Sequence, residues 1–236
     1  MRYAALSPHI DDLAFSLGGA LKLGHFEAIR PISVFTISDY VLCGAGGDPV
    51  LVSGIRKKED ANYFGAIRSA ERPIWLDFLD APIRRSISAE STCGTELNAE
   101  DVRLLDDIVE RMRGLLYDAD VLLAPLGIGE HVDHTVVHLL ALRLQELGHV
   151  VYFYEDLPYA AECSEEDIRH RIARIASQSN VALRSLVVNC PDLPASKQRV
   201  CDIYSSQSNQ DLFSKLIVHS RRVNAKSGFG ERIWVC

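Results

Sequence analysis

Short apolar runs alternate with longer amphipathic stretches along most of the chain. The short runs have the length of β-strands, and the longer stretches repeat their apolar residues with the period of an α-helix. This alternation is typical of strands that are joined by crossover helices in a largely parallel sheet. The pattern therefore predicts an α/β protein with helices packed against one central sheet.

The bounds of the individual elements follow from the same pattern. Strands are predicted at residues 3–6, 32–37, 74–76, 121–124, 150–154 and 186–188. Helices are predicted at residues 14–23, 55–67, 101–116, 134–147, 165–176 and 195–204. Asn98 and Ser164 each precede a group of acidic residues, which is the usual start of a helix because carboxylates stabilise the positive end of its dipole. The order predicts a doubly wound, Rossmann-like three-layer sandwich with a mostly parallel central sheet.

Two segments interrupt this rhythm. Residues 39–53 contain a glycine-rich run, and residues 84–98 are rich in Ser, Thr and Glu. Both are predicted to be long loops over the carboxyl edge of the sheet, where folds of this class bind ligands. No repeat or linker divides the sequence, so we expect a single domain spanning residues 1–236.

Composition and charge exclude several classes of partner. The chain has 236 residues, of which 47% are hydrophobic and 24% charged, as in a globular protein. Its formal net charge of -7 provides no cationic field for nucleic acid. No apolar run approaches the roughly 18 residues of a membrane span, and the first residues are too few for a signal-peptide core. We expect a cytoplasmic protein with reduced cysteines, no membrane span and no nucleic-acid partner.

The first polar cluster follows the first predicted strand and contains His9, Asp11 and Asp12. A strand, a tight turn and a helix place these side chains at the carboxyl end of the strand, the usual position of a site in an open α/β sheet. The alternative is structural, because aspartate is also a preferred capping residue at the start of a helix.

The second polar cluster follows the fourth predicted strand and contains His131, Asp133, His134 and His138. Histidines at this density are uncommon outside metal or catalytic sites. If the two strands are neighbours, their carboxyl-end loops meet, and two imidazoles and one carboxylate can converge on one ion. Three protein ligands leave one coordination position open, as a catalytic zinc requires.

Together these clusters resemble the motifs of the PIG-L/LmbE family of zinc-dependent N-deacetylases. Residues 8–12, Pro-His-Ile-Asp-Asp, followed by glycines at 18 and 19, are similar to the family's P-H-x-D-D...GG signature, and residues 131–134, His-Val-Asp-His, are similar to its H-P-D-H motif. Residues 56–60, 76–81 and 229–234 add to the resemblance. Ile10 and Val132 stand where the family often has proline, but neither position supplies a ligand.

The resemblance implies a role for each matching residue. It implies that His9, Asp12 and His134 ligate zinc and that Asp11 is the general base. It also implies that His131 polarises the amide carbonyl and stabilises the oxyanion. The charge on that oxygen needs a hydrogen-bond donor, and we expect His131 to be protonated for this role. A bound zinc ion would lower the pKa of water from about 15.7 toward about 7 and so supply the nucleophile that amide hydrolysis needs.

Two further residues of the second cluster leave alternatives open. Asp133 is expected to hold an imidazole in the correct tautomer, and the alternative is that it caps the helix before Thr135. His138 lies one turn after His134 on the same predicted helix face and could compete as a ligand. The alternative for His138 is packing against the sheet.

Substrate contacts are predicted at three further positions. Arg56 could bind hydroxyls or a phosphate with its guanidinium group, or form a surface ion pair with an acidic residue at 59 or 60. Asp80 could accept bonds from sugar hydroxyls, or be a turn residue before the following Ala-Pro pair. Glu155 and the adjacent Asp156 are candidates for the rim of the site with the same ambiguity.

The sequence thus favours a zinc-dependent hydrolase that removes an N-acyl group, expected to be N-acetyl, from an amino sugar or a sugar-containing metabolite. The sugar preference comes from the family resemblance. Rival interpretations are an amidase for a thiol conjugate or antibiotic intermediate, a non-catalytic binding protein, and a transferase that uses a sugar nucleotide. The apolar stripe at 212, 216 and 217 is expected to pack as a helix, with a homo-oligomer contact as its alternative.

Overall fold

The computed structural model describes residues 1–42, 46–179, 181–226 and 228–235. The cysteines at 43 and 236 and residues 44–45 of the first predicted loop lie outside the described residues. The strands within these ranges are β1 (Arg2–Ser7), β2 (Ala28–Ile37), β3 (Ile74–Leu79), β4 (Val121–Pro125), β5 (Val151–Tyr154), β6 (Arg184–Asn189) and β7 (Gly230–Val235). The helices are α1 (Asp12–Lys22), α2 (Pro49–Gly65), α3 (Ala81–Arg85), α4 (Ala99–Met112), α5 (Val132–Glu146), α6 (Tyr159–Glu162), α7 (Glu165–Ser179), α8 (Leu193–Ile203) and α9 (Gln210–Val223).

The strands form one seven-stranded sheet in the order β3-β2-β1-β4-β5-β7-β6. β1 to β5 pair in parallel, and β7 runs antiparallel to both β5 and β6. The chain moves from β1 to β2 in one direction along the sheet and from β4 to β5 in the other. Because parallel crossovers are right-handed, this reversal places the connecting helices on opposite faces. The predicted α/β fold with a mostly parallel sheet is confirmed.

The central strands are buried as parallel strands covered on both faces should be. The alanines at 4 and 5 and Leu6 of β1 are fully buried, and all five residues of β4 are buried. Helix α1 is also buried over ten of its eleven residues. None of the helices in the described ranges is both long enough and apolar enough to cross a membrane.

Helix α1 packs very closely against α8, and its paired glycines allow this approach. A Cβ atom at Gly18 would lie 2.9 Å from Val200 Cγ2, and one at Gly19 would lie 3.1 Å from the sulfur of Cys190. Real side chains do not tolerate the first distance, so the two glycines serve helix packing. The helix that carries Asp12 in its first turn is therefore held tightly in place.

A buried ion pair fixes α1 further along its length. The Lys197 ammonium donates to Glu231 Oε1 and to the carbonyls of residues 15 and 16, where α1 is kinked at Leu17. The Glu231 carboxylate accepts hydrogen bonds from the backbone N–H groups of residues 19 and 20. The pair thus satisfies backbone groups that the kink frees, which explains how two charges can be buried here.

Each predicted strand is present, and one strand was not predicted. β7 contains Glu231 and Arg232, whose charges hide its apolar positions. Helix α2 begins at Pro49, earlier than predicted, because Asp48 accepts a hydrogen bond from the N–H of Val50 and caps the helix. The first interrupting segment is therefore shorter than the predicted loop. The predicted helix starts at Asn98 and Ser164 are confirmed by their capping hydrogen bonds.

Candidate metal centre and cavity

The two polar clusters meet at the carboxyl ends of β1 and β4, which are neighbours in the sheet. This is the point where the strand order reverses, and open α/β sheets bind ligands at such a point. After β1 the turn is closed by Ser7, whose hydroxyl donates to the carbonyl of His9 and accepts from the N–H of Leu13. After β4 the chain turns through Gly129 at φ 84°, where a Cβ atom would lie 2.6 Å from Tyr159.

Three donor atoms lie close enough together to hold one metal ion. Asp12 Oδ2 is 3.3 Å from His9 Nδ1 and 3.2 Å from His134 Nε2, and the three atoms all lie within 4.8 Å of one another. Ligands about 2.1 Å from a tetrahedral ion are about 3.4 Å apart. His134 Nε2 is buried and forms no hydrogen bond with any described residue. An unpaired buried nitrogen is costly, so the donor set fits a divalent ion.

Asp133 holds the far side of the His9 ring. Its Oδ2 lies 3.0 Å from His9 Nε2 and accepts from the N–H of Ala81, and its Oδ1 accepts from Arg84. Burial alone would raise the pKa of Asp133, but the hydrogen bond with His9 and the charges around it lower that pKa well below its usual range. The helix cap at this position is His131, whose Nδ1 accepts from the N–H of Asp133. The contact expected between Asp133 and an imidazole is present.

Asp156 makes the equivalent contact with the second histidine. Its Oδ2 lies 2.9 Å from His134 Nδ1, and both of its oxygens accept from the N–H of Gly127. The sequence placed Asp156 at the rim, whereas it is fully buried. Its only signal in the sequence is its position at the end of β5, next to β4. His9 and His134 thus each have a carboxylate on the side of the ring away from the centre. Carboxylates in this position fix the tautomer of a metal-binding imidazole and raise its basicity.

The carboxylates make this centre favourable for positive charge. Burial alone would lower the pKa values of both histidines, but bonds with Asp12 and Asp133 raise that of His9 to about 9, and Asp12 and Asp156 raise that of His134 to about 10. Both rings are therefore in the positively charged, doubly protonated form at neutral pH when no metal is present. A divalent ion that binds here replaces these protons, and its affinity rises with pH.

His131 differs from the other two histidines of the centre. Burial, followed by the positive charges of His9 and His134, lowers its pKa to about 3. The expectation that His131 is protonated is thus wrong for the metal-free site, because two positive rings already lie beside it. Its Nδ1 accepts from the N–H of Asp133, so the neutral ring carries its hydrogen on Nε2. Neutral His131 therefore still has an N–H group to donate.

Asp11 and Arg56 form a buried ion pair beside the candidate metal centre. Arg56 Nη2 lies 3.0 Å from Asp11 Oδ1, and both side chains are buried. The alternative of a surface ion pair between Arg56 and an acid at 59 or 60 is not present, since Arg56 is buried against Asp11 and Glu59 binds the hydroxyls of Ser205 and Ser206. A contact between Arg56 and the substrate stays a prediction. Asp11 occupies the cap position of α1, but its side chain makes no capping bond. Its carboxylate is therefore available for chemistry.

A cavity of about 320 Å³ opens onto the centre. His9, Asp11 and Asp12 lie in its wall together with His131, whereas His134 lies behind them and is fully buried. Both interrupting segments contribute to the wall, the first at residues 40 and 42 and the second at residues 89–93. The second segment is tied to the centre by an isolated β-bridge between residues 93 and 131.

The remaining predicted residues have clear structural partners. Asp80 caps α3 by accepting from the N–H of Ile83, which is the turn role that the sequence offered as an alternative. It also lines the cavity, and its contact with sugar hydroxyls stays a prediction. Glu155 does not lie at the rim, because its buried carboxylate binds His219 and the side chains at 232 and 234. His138 packs against Phe153 and bonds the carbonyl at 125, away from the candidate centre.

Comparisons with known proteins agree with this geometry. No protein-family model matches the chain. The solved structures that share its fold include two deacetylases. One is the zinc-inhibited form of a teicoplanin deacetylase, which has a TM-score of 0.74 and 24% identity and covers 99% of this chain and 97% of its own. The other is an N,N′-diacetylchitobiose deacetylase from Pyrococcus horikoshii, with a TM-score of 0.59, 16% identity and coverage of 98% and 82%.

A curated relative carries the family assignment. 2′-N-acetylparomamine deacetylase from Streptomyces fradiae is 31% identical over 232 residues, covering 94% of this chain and 78% of the relative. Identity at this level over nearly the whole chain is accompanied by a buried His-Asp-His centre that can hold a divalent metal. The chain belongs to the deacetylase family that includes the Streptomyces fradiae enzyme.

Proposed function

We propose that this protein is a zinc-dependent N-deacetylase of the PIG-L/LmbE type. Its proposed substrate is a small molecule in which an amino sugar carries an N-acetyl group, including intermediates of antibiotic synthesis. The observation that carries the proposal is the approach of His9 Nδ1 and His134 Nε2 to one oxygen of Asp12, beside a cavity lined by Asp11 and His131. The name of the curated relative supports an acetylated amino sugar as the substrate class.

His9, Asp12 and His134 would hold the metal in this proposal. When bound, a divalent ion lowers the pKa of water from about 15.7 toward about 7 and polarises the amide carbonyl. Two nitrogen donors and one carboxylate are the ligands that a catalytic zinc uses, and they leave a position open. Asp133 and Asp156 orient the two rings so that Nδ1 of His9 and Nε2 of His134 face the centre.

Asp11 is the proposed general base. Its Oδ1 is held by Arg56, so the carboxylate has a fixed orientation, and the side chain lies in the cavity wall. The second oxygen is then free to accept a proton from the attacking water. When the carbon–nitrogen bond breaks, Asp11 returns that proton to the departing amine, and the carboxylate is restored for the next turnover.

His131 is the proposed donor to the amide oxygen. Its backbone hydrogen bond leaves the ring hydrogen on Nε2, and the residue lines the cavity. Negative charge develops on the amide oxygen as water adds, and a positioned N–H group stabilises that charge. Removing one such donor typically raises the barrier by about 2.7 to 4 kcal/mol. A neutral imidazole can fill this role without placing another positive charge next to a bound metal ion.

The experiment is acetate release by protein loaded with one equivalent of zinc. Zinc is not added in excess, because a zinc-inhibited form is known for the teicoplanin deacetylase. The panel contains N-acetylglucosamine, an N-acetylated aminoglycoside fragment and an N-acetylated thiol conjugate. We expect release from the sugar substrates, loss of release on chelation and recovery on adding metal back. Asp11→Asn is the matched control, since it keeps the shape of the side chain and removes the base.

Three results would overturn the proposal. The first is no release from any sugar substrate by folded, metal-loaded protein, which would favour a non-catalytic binding protein. The second is undiminished release after complete chelation or in the Asp11→Asn variant. The third is release from the thiol conjugate alone, which would keep the hydrolytic chemistry and reject the sugar.

A further inference from the structure

Residues 204–209 follow α8, are called the strap here, and contribute Gln207 to the cavity wall. Glu59 of α2 anchors it, since its carboxylate accepts bonds from the Ser205 hydroxyl at 3.3 Å and from the Ser206 N–H and hydroxyl at 2.9 and 2.6 Å. The strap in turn holds the first interrupting segment, because the N–H of Leu42 donates to the carbonyl of Ser206 at 2.9 Å. The strap is therefore fixed on two sides.

Gln207 of the strap lines the cavity and is 5% exposed. Its Nε2 donates to the backbone carbonyl of Tyr40 at 3.1 Å and to the Ser206 hydroxyl at 3.2 Å. A carbonyl oxygen can only accept, so the orientation of the Gln207 amide is set by this contact. Its Oε1 receives no hydrogen bond from any residue that the structure describes. The amide oxygen of this largely buried side chain is thus the atom left for a ligand in the cavity.

The rest of the wall also offers acceptors. The carboxylates of Asp80 and Glu90 line the same cavity. Arg56 is the only lysine or arginine among the described lining residues, and the adjacent carboxylate of Asp11 compensates its charge through the bond to Nη2. A ligand that brings O–H or N–H donors satisfies this wall, whereas a phosphate or carboxylate meets further negative charge.

We propose that Gln207 is a specificity-determining residue whose Oε1 accepts a hydrogen bond from a hydroxyl or ammonium group on the ring that carries the acylamino group. The inference rests on the proposed function for the identity of the ligand as substrate. It assigns recognition of the ring to the strap, outside the metal centre. Hydroxyl and ammonium groups can both donate this hydrogen bond, and substrate analogues with an amino group in place of a hydroxyl distinguish them.

The test compares Gln207→Leu with wild type on methyl N-acetylglucosaminide and its 3-, 4- and 6-deoxy analogues. We expect wild type to lose about 10-fold in kcat/KM on one deoxy analogue, because a buried acceptor is then left unpaired. Gln207→Leu should treat that analogue and the parent alike, within about twofold, since the two changes remove the same bond. Ser206→Ala is the matched control, because it loosens the strap and keeps the Gln207 oxygen, and it should retain the discrimination.

Analogues with an amino group in place of each ring hydroxyl identify the donor. If an ammonium group is the preferred donor, the amino analogue outperforms the parent in wild type, and Gln207→Glu increases that preference. If a hydroxyl is preferred, the parent remains the better substrate. In both cases Gln207→Leu should abolish the preference.

Two results would overturn the inference while leaving hydrolysis intact. One is a Gln207→Leu variant whose kcat/KM falls by the same factor on the parent and on every deoxy analogue. The other is a Gln207→Leu variant that still discriminates between the parent and the deoxy analogue as wild type does. Calorimetric binding of methyl glucosaminide, the product amine, to the same variants decides the matter without turnover. If wild type releases no acetate, the proposed function fails, whereas equal affinity of wild type and Gln207→Leu for the amine rejects the role of Gln207.

Discussion

Replacing Asp156 by asparagine tests whether the carboxylate behind His134 determines metal affinity. In the wild type Oδ2 lies 2.9 Å from His134 Nδ1, which carries the ring hydrogen and leaves Nε2 free to bind an ion. The N–H of Gly127 also requires an acceptor from this carboxylate. An asparagine oxygen at the Oδ2 position can still accept from Gly127 and from His134, but the amide is neutral and its NH₂ group then faces the N–H of Gly127 from the Oδ1 position. The amide is a weaker acceptor for the hydrogen on Nδ1 and no longer raises the basicity of Nε2, so His134 becomes a weaker ligand.

The expected size of this effect follows from the kind of contact that is lost. Changes at carboxylates behind metal-bound histidines typically cost about 10- to 100-fold in metal affinity. That range corresponds to about 1.4 to 2.7 kcal/mol. Because His134 is fully buried, water cannot compensate for the lost negative charge, so we expect the upper half of the range.

The assay is competition for zinc with a chromophoric chelator at one fixed pH of about 7.5, because zinc competes with protons for the two histidines and its affinity changes with pH. Glu155→Gln is the matched control, since the neighbouring carboxylate is also buried but contacts His219 rather than the centre. It should lose stability and keep its zinc affinity. We expect at least about a tenfold loss of zinc affinity in Asp156→Asn. A zinc affinity within about twofold of wild type would therefore refute the reasoning. An equal loss in Glu155→Gln would also refute it.

Three further predictions concern a catalytic donor and two buried charges. His131→Gln should lower kcat about 100- to 1000-fold with zinc affinity unchanged, and a matching loss of affinity would contradict a donor role. Lys197→Met should lower the free energy of unfolding in urea by about 3 to 5 kcal/mol, because it leaves Glu231 buried and unpaired, and adding Glu231→Gln should restore part of it. Simple additivity of the two costs would contradict the pairing. Burial raises the pKa of Asp60 to about 7, so the folded state holds a proton that the unfolded chain has lost above about pH 4. Wild type therefore loses stability relative to Asp60→Asn as the pH rises. The difference between the two unfolding free energies should grow by about 1.4 kcal/mol per pH unit between about pH 5 and 7 and then level off. A difference that does not change with pH would contradict the raised pKa of Asp60.

The sequence was informative where the determinants are local. Apolar periodicity located the six predicted strands, and the residues before acidic runs located the starts of α4 and α7. The two polar clusters could be brought together because each follows a strand and because carboxyl ends of adjacent parallel strands share one edge. That rule predicts that His9 and Asp12 lie beside the second cluster, whereas the choice of His134 among its histidines came from the family resemblance.

The features that were missed depend on partners distant in the chain. β7 carries two charged residues, and only the structure shows that Lys197 and Glu155 compensate them. Arg56 pairs with Asp11, 45 positions away, rather than with an acid on its own helix. Gln207 gave no signal, because a lone glutamine after a helix has no distinguishing pattern.

X-ray absorption spectroscopy of the protein with one equivalent of zinc tests the central claim most directly. The account predicts a first shell of nitrogen and oxygen atoms only, at about 2.0 to 2.2 Å, with the outer-shell scattering of two imidazoles. Replacing His134 by alanine should remove one of the two imidazole contributions. A sulfur ligand at about 2.3 Å, or two imidazoles that persist in that variant, would contradict it.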